Sequence, residues 1–399
     1  MVNLDKADTR RLVYEGSVKR LWQAPGENGL LWFEFTDDYS IFDWGKMPDT
    51  IADKGRSLAL LGAYFFDTLA SGNFWQELST ALESENKQIN QDFLASRLHH
   101  PVMKALADKG LDHHFKALRE ESGALFMEVM EAEVLSPEHR IIAGRDLYFY
   151  PQLPERRPLR RLVPLEVVFR FGMPEGSSLI ERLEADPDYA LSLGLAQRPE
   201  PGQWFDRPVI EFFTKLEPSD RHLQYQEAAQ MSALCPESFE TLLELTWDLA
   251  LALHHIFASC NIELWDGKFE FVAEHGEDGS TRLLLADSIG PDELRLLYKG
   301  KHLSKELVRR LYKGTPWELA VREAKKLAKK SPERSFKERC LKDLGQSPQP
   351  LSKKEKDLVD RLYPVLANTL KGSEVFAGKG DLDSLVTTLT ELENERTGA

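Results

Sequence analysis

An α+β fold is predicted for this 399-residue chain by three observations. Short stretches alternating apolar and polar residues, punctuated by Gly and Pro, come first. Long stretches with helical spacing of apolar residues come later. From about residue 303 onward the chain is charged and helical in pattern. Strand-rich segments followed by helical ones, rather than a regular βαβ alternation, favour α+β.

The elements follow in order. "RLVYEGSVKRLWQAPGENGLLWFEFTDDYSIFDW" reads as strand, Gly turn, strand, a hairpin loop at "PGENG" and a third strand. Residues 56–70, "RSLALLGAYFFDTLA", are spaced as a helix, and 74–122 read as further polar amphipathic helices. "EHRIIAGRDLYFYPQLPERRPLRRLVPLEVVFRFG" returns to strands with proline-marked loops. "SFETLLELTWDLALALHHIFASC" is the clearest helix, with Ser238 after Pro236 as its expected N-cap. Strands are predicted at 261–271 and 281–289, joined by the turn "EHGEDGS". A Pro/Ser break at "GQSPQPLS" interrupts the helical C-terminal part. In the tail, 373–399, Leu382, Leu385, Val386 and Leu389 mark one amphipathic helix docked on the surface or on a second subunit.

Composition narrows the function. With 42% hydrophobic and 29% charged residues the chain can bury a sizeable core in two or more lobes. A formal charge of -14 argues against nucleic acid as a general partner, because duplex binding needs a basic face. Cys235, Cys260 and Cys340 are odd in number and far apart, with neither a disulfide framework nor zinc spacing. The N-terminus lacks an apolar leader core, and no segment has the apolar length of a membrane span. A cytoplasmic protein with no membrane partner is the expectation.

One stretch stands out chemically. In "WDGKFEF", Asp266, Lys268 and Glu270 occupy every second position, so a strand would put them on one face and Phe269 and Phe271 on the other. A hairpin with 281–289 would bring Asp287 to the same face. Carboxylates around a lysine suit magnesium and phosphate, since magnesium takes one or two carboxylates plus substrate oxygens. A surface charge ladder across a hairpin has the same pattern. Gly16 and Lys19 in "YEGSVKR" could approach a phosphate, or form an ordinary hairpin. Arg170, ending a strand, with the "GSS" turn at Ser177 suits a phosphate monoester, or a surface ion pair. Lys215 in "FFTKLEPSD" follows an apolar run and needs a partner. His99/His100, His113/His114 and His254/His255 lack metal-ligand spacing and read as packing or surface residues.

Taken together, the order of these motifs resembles the SAICAR synthetase family. "LVYEGSVKRLW" is similar to its Gly-rich N-terminal hairpin, and "FEFTDDYSIFDWGKMPDTIADKG" to its acidic loop. "GLDHHF", "VPLEVVFR" with "GSS", "FFTKLEPSD", "WDGKFEF", "LADSIGPDELR" and "PQPLSKKEKDLVDRLYPVLANTLKG" resemble its later motifs. The match runs from about residue 11 to 372, with insertions near 71–103 and 313–345. It implies a two-lobed α+β fold: a β-rich N-terminal lobe at 1–160, a larger α+β lobe at 161–312 and a helical C-terminal region at 313–399.

The resemblance also implies an activity. ATP, bound in the cleft with Mg2+, would drive condensation of carboxyaminoimidazole ribonucleotide with L-aspartate in de novo purine biosynthesis. The route would pass through an acyl phosphate. Glu270 and Asp287 would hold the metal, with Asp266 beside them. Lys268, Arg170, Ser177 and Arg295 would hold the ribonucleotide, and Asp220 lies in a substrate motif. Lys268 and Asp266 would be the catalytic pair. Gly16, Lys19, Leu162 and Lys215 would meet ATP. The oligomeric state stays open, a homo-oligomer included. Departures occur at Ser17, where the family commonly has lysine, and at Ser288, Leu294 and His222. They leave two alternatives: a paralogous ligase using another amine or carboxylate, or a non-catalytic nucleotide-binding homologue.

Overall fold

The computed structural model describes residues 10–26, 28–84, 89–151, 159–331 and 333–397. In chain order the elements begin with β1 (Arg11–Glu15), β2 (Lys19–Gln23) and β3 (Leu30–Phe35). Four helices follow: α1 (Lys54–Leu69), α2 (Gly72–Ser84), α3 (Gln91–Leu98) and α4 (Pro101–Lys109). Next come β4 (Phe115–Glu121), β5 (Ala124–Met130), β6 (Glu138–Ile142), β7 (Arg145–Phe149), β8 (Arg160–Leu162) and β9 (Leu165–Met173). After α5 (Leu179–Ala185) and α6 (Tyr189–Ser192) lie β10 (Gln203–Thr214), β11 (His222–Leu223), α7 (Tyr225–Ser232) and α8 (Pro236–Ala258). The strands β12 (Glu263–His275), β13 (Thr281–Ala286), β14 (Leu294–Tyr298) and β15 (Lys301–His302) precede the C-terminal helices. These are α9 (Lys305–Tyr312), α10 (Pro316–Lys330), α11 (Phe336–Glu338), α12 (Lys353–Lys371) and α13 (Leu382–Thr397), with a π-helical turn at Arg339–Asp343. Mixed helices and sheets in this order make the fold α+β.

The chain folds into two compact units that interleave in sequence. The first gathers residues 1–61, 117–128 and 295–399, and the second 62–116 and 129–294. The first unit contains an antiparallel meander, β1–β2–β3, in the strand order β1-β2-β3-β5-β4. Its helical part packs α12 against α13, where Leu385 is fully buried and Leu382, Leu389 and Leu392 are largely so. The tail is thus an amphipathic helix docked on its own chain. A capping box at Ser352 and Glu355 starts α12, and Gly372 in the left-handed region ends it.

The second unit holds the sheet β11-β10-β9-β12, with β13 and β8 both pairing with β12. All these pairings are antiparallel. One face carries Val167, Phe169, Phe171, Ile210, Phe212, Phe269 and Phe271, all buried. The helix α8 covers this face through residues such as Leu242, Leu249, Leu253 and Phe257. Phe169 stacks on Phe269 with centroids 4.9 Å apart. The crossing is close enough to require glycine. A Cβ at Gly267 would come within 2.4 Å of Leu294 Cδ2 and 2.7 Å of Phe169 Cζ. His254, on α8, packs against Phe171 and Trp204 rather than offering a metal ligand.

Three local expectations need correction. The helical reading of 74–122 fails at its end, because Phe115–Glu121 is a strand. Ser122 and Gly123, both at positive φ, turn it directly into β5, and an Arg119–Glu128 ion pair links the two strands. The N-cap of α8 is Cys235 rather than Ser238, with Pro236 inside the first turn. Proline's fixed φ and missing N–H suit that position and move the helix start upstream. Arg170 lies inside β9 rather than at its end, since the strand continues to Met173.

Candidate active site

The charged face of the second unit's sheet is built by register. Asp266 pairs with Arg170 and Lys268 with Val168, while Val209 pairs with Arg170 and Glu211 with Val168. Residues directly opposite each other share a face, and period two carries the pattern along each strand. Glu166 and Arg170 on β9, Glu211 on β10, and Asp266, Lys268 and Glu270 on β12 therefore line one side of the sheet. The aromatic side chains line the other.

Two clusters form on this face. In the first, Lys268 Nζ donates to Glu166 at 2.8 Å and to Glu270 at 3.0 Å. Lys215, just past β10, donates to the same Glu270 oxygen at 2.6 Å and to Glu166 at 3.4 Å. Burial alone would lower the pKa of both lysines. The Glu270 and Asp287 carboxylates, with Glu166, outweigh it, so both ammoniums are held above the ordinary lysine value. Glu166 is in turn held below its usual value, because Lys268 and Lys215 override its burial. Lys268 is thus a fixed cation at neutral pH and cannot serve as a proton acceptor. Asp287 directly follows β13 at φ 59, a conformation Asp tolerates better than most residues. Its carbonyl bonds the His114 ring Nε2 at 2.9 Å.

The second cluster surrounds Arg170, which is 5% exposed. Its guanidinium pairs with Glu211, donates to Asp266 at 2.7 Å and reaches Ser178 Oγ at 3.5 Å. Glu211 also accepts from Arg182 and from the Tyr189 hydroxyl, whose oxygen lies 2.7 Å from His222 Nε2. Two guanidiniums and a phenol keep the buried Glu211 charged and its pKa low despite burial. His222 is pushed down by burial, towards the neutral imidazole. Ser177, 3% exposed, accepts from the Leu179 amide at 3.3 Å and starts the turn that leads to Arg182.

The remaining predicted residues are placed as follows. Leu162 pairs with Val272 in β8 and packs with Leu284 and Ala286. Asp220 is exposed in the loop before β11. Gly16, Lys19 and Arg295 belong to the first unit. There the Gly16 amide closes the turn onto the Lys19 carbonyl at 2.8 Å. Lys19 Nζ lies over the Phe33 ring, 4.7 Å from its centroid.

Sequence reasoning missed Glu166, Glu211, Arg182 and Tyr189. For two of them a signal existed: an acid inside an apolar strand run, as in "PLEVVFR" and "PVIEFFT", demands a buried partner. Nothing local marks Tyr189, whose role depends on how 174–202 folds back.

A family model for SAICAR synthetase matches residues 12–324. The chain belongs to the SAICAR synthetase family. Every residue of the two clusters lies within that match, whereas α13 lies beyond it. A protein of Archaeoglobus fulgidus, provisionally named a phosphoribosylaminoimidazole-succinocarboxamide synthase, is 32% identical over 90% of this SAICAR synthetase family chain and 95% of its own. The phosphoribosylaminoimidazole-succinocarboxamide synthase of Thermoplasma acidophilum is 23% identical, covering 88% of this chain and 97% of its own. In structure, the SAICAR synthase of Saccharomyces cerevisiae, solved with SAICAR, aligns over 94% of this chain and 98% of its own. The TM-score is 0.53 at 20% identity, a likeness of fold.

The donor set is compatible with magnesium only as a shared ion. Among the described residues no group of three or more His, Cys, Asp or Glu is arranged to hold a metal. Glu270 and Asp287 are hard oxygen donors acting together on the same two lysines. That matches the way Mg2+ is commonly bound, by one or two carboxylates with phosphate oxygens and water completing its shell.

Proposed function

We propose that this SAICAR synthetase family member is an ATP-dependent ligase that joins the carboxylate of carboxyaminoimidazole ribonucleotide to the amine of L-aspartate, giving SAICAR, ADP and phosphate. The observation that carries the reading is the pair of half-buried ammoniums of Lys268 and Lys215, both ion-paired on the Glu166–Glu270 face.

A carboxylate is a poor electrophile, so the reaction needs activation. A carboxylate oxygen of the ribonucleotide attacks the γ-phosphorus of ATP, the bond to ADP breaks, and an acyl phosphate forms. The aspartate amine then attacks the acyl carbon. Phosphate leaves and the nitrogen loses its proton. Charge moves across phosphoryl and carboxylate oxygens in both steps, so fixed cations supply most of the assistance.

Lys268 would meet the reacting carboxylate, its charge secured by Glu166 and Glu270. Arg170, with Ser177, would bind the ribonucleotide phosphate, and Asp266 and Glu211 would orient that guanidinium. Lys215 would face the nucleotide, with Leu162 contributing backbone near the adenine and Asp220 reserved for the substrate loop. Glu270 and Asp287 would hold Mg2+, which would neutralise phosphate charge when bound. The parts assigned to Gly16 and Lys19 on ATP phosphates, and to Arg295 on the ribonucleotide, rest on the family resemblance.

Product identification tests this reading. Incubation with Mg-ATP, carboxyaminoimidazole ribonucleotide and L-aspartate should yield a species with the mass of the succinocarboxamide ribonucleotide. A product containing a different amine from a mixed amino-acid pool, with no aspartate adduct, would overturn it. A paralogous ligase or a non-catalytic homologue would then be left.

A further inference from the structure

We propose that the first unit carries a second binding site, for a phosphate-bearing small molecule, in the cavity between the β14–β15 hairpin, α9 and α13. The cavity has a volume of about 230 Å³. That is room for roughly eight water molecules at ~30 Å³ each, enough for a phosphoryl group and part of what it is attached to. Leu307, Leu389 and Leu392 form its apolar wall, and Lys301, Arg310 and Arg396 bring three cations against the single carboxylate of Glu393. Two of these cations are paired with carboxylates, so what favours a phosphate is its several acceptor oxygens, which three cationic donors can engage together.

The cations are not equally committed. Lys301 pairs with Glu393, and Arg396 pairs with Glu355 and donates to the Leu311 carbonyl at 2.8 Å. The Arg310 guanidinium has no hydrogen bond or ion pair to another described residue. His302 also lines the cavity. It is 6% exposed, and its buried Nδ1 has no hydrogen-bond partner. A buried polar atom left unpaired costs about 1–3 kcal/mol, a penalty that a small turn of the His302 ring towards an anion in the cavity would relieve. Burial, reinforced by the positive charges of Arg310 and Arg295, pushes His302 down to about 3. It therefore stays neutral and keeps one N–H to donate to a phosphate oxygen. A bound dianion would relieve the same crowding of positive charge.

The position gives the site a consequence. His302 pairs with Leu297 across the hairpin whose first strand carries Arg295. A ligand bridging His302 and Arg310 to α13 would tie the tail helix, which lies beyond the family match, to the strand bearing Arg295.

Calorimetric titration of the full chain with inorganic phosphate and with ribose 5-phosphate tests the proposal. The active-site clusters also offer cations, so the comparison is between variants. Saturable binding should weaken at least tenfold in Arg310→Gln and in Lys301→Gln, and should persist in Arg170→Gln. Tighter binding of the ester would identify a phosphate ester as the ligand, and equal binding would identify free phosphate. Hydrogen exchange at 382–397 should slow when ligand is added. Absence of binding to the unaltered chain would overturn the proposal. So would loss in Arg170→Gln with no change in either cavity variant.

Discussion

Lys268 and Lys215 converge on one carboxylate oxygen of Glu270, at 3.0 and 2.6 Å, so one side chain fixes two cations on the charged sheet face. Removing its charge should release both. Glu270→Gln should lower turnover by at least roughly 10–100-fold, the range that even outer contacts to a metal cost. It should leave the fold intact, because Glu166 still faces both lysines. Steady-state kinetics across a magnesium titration checks this. Near-normal activity at low magnesium would remove Glu270 from the site.

Glu211 should matter more for stability than for chemistry. It is 1% exposed and accepts from two arginines and a tyrosine. Glu211→Gln leaves Arg170 and Arg182 without their shared countercharge, a loss on the order of 3 kcal/mol for a buried pair. The urea midpoint should fall with the slope unchanged. In whatever folds, the KM for the ribonucleotide should rise more than kcat falls, because Arg170 would lose its orientation. An unaltered midpoint would show that Glu211 is not the network's keystone.

The packing of His254 sets an acid limit on stability. Burial pushes its pKa down to about 4, below the usual histidine value near 6.5. The unfolded chain therefore binds this proton more readily than the folded one. The contribution is fully present above pH ~6.5 and is lost as pH falls towards ~4, on the order of 3 kcal/mol in all. His254→Gln should flatten the pH dependence of the unfolding free energy across that window. A limb of unchanged steepness would assign the acid sensitivity to other groups.

Much of the charged face was legible in one strand. The alternation of Asp266, Lys268 and Glu270 against Phe269 and Phe271 needs only the two-residue period of a strand. Their partners were not legible, because Glu166, Arg170 and Glu211 reach them through the register of β9 against β10 and β12. The Tyr189–His222 bond joins residues 33 positions apart through a loop whose path has no local signature. The strand at Phe115–Glu121 was hidden by charged residues on its exposed side, "KALREE", which also suit a helix. Chain order likewise could not say that the N-terminal strands and the C-terminal helices belong to one unit.

The tail offers a separable test. Leu385, Leu389 and Leu392 bury against the rest of the first unit, so deleting 373–399 should expose the α12 surface and lower the melting temperature. Nucleotide binding should survive the deletion, measured by titration with ADP. Loss of nucleotide affinity in a chain that remains folded would mean the tail contributes to that site.

ADP release with each substrate omitted in turn tests the ligase assignment most directly. The four residues assigned to the ribonucleotide, Arg170, Ser177, Lys268 and Arg295, are all present. A changed amine would call for a compensating change of charge, since an unpaired buried charge is costly. Steady ADP release is expected only when carboxyaminoimidazole ribonucleotide and L-aspartate are both supplied with Mg-ATP. Full turnover with a neutral amino acid and none with aspartate would contradict it.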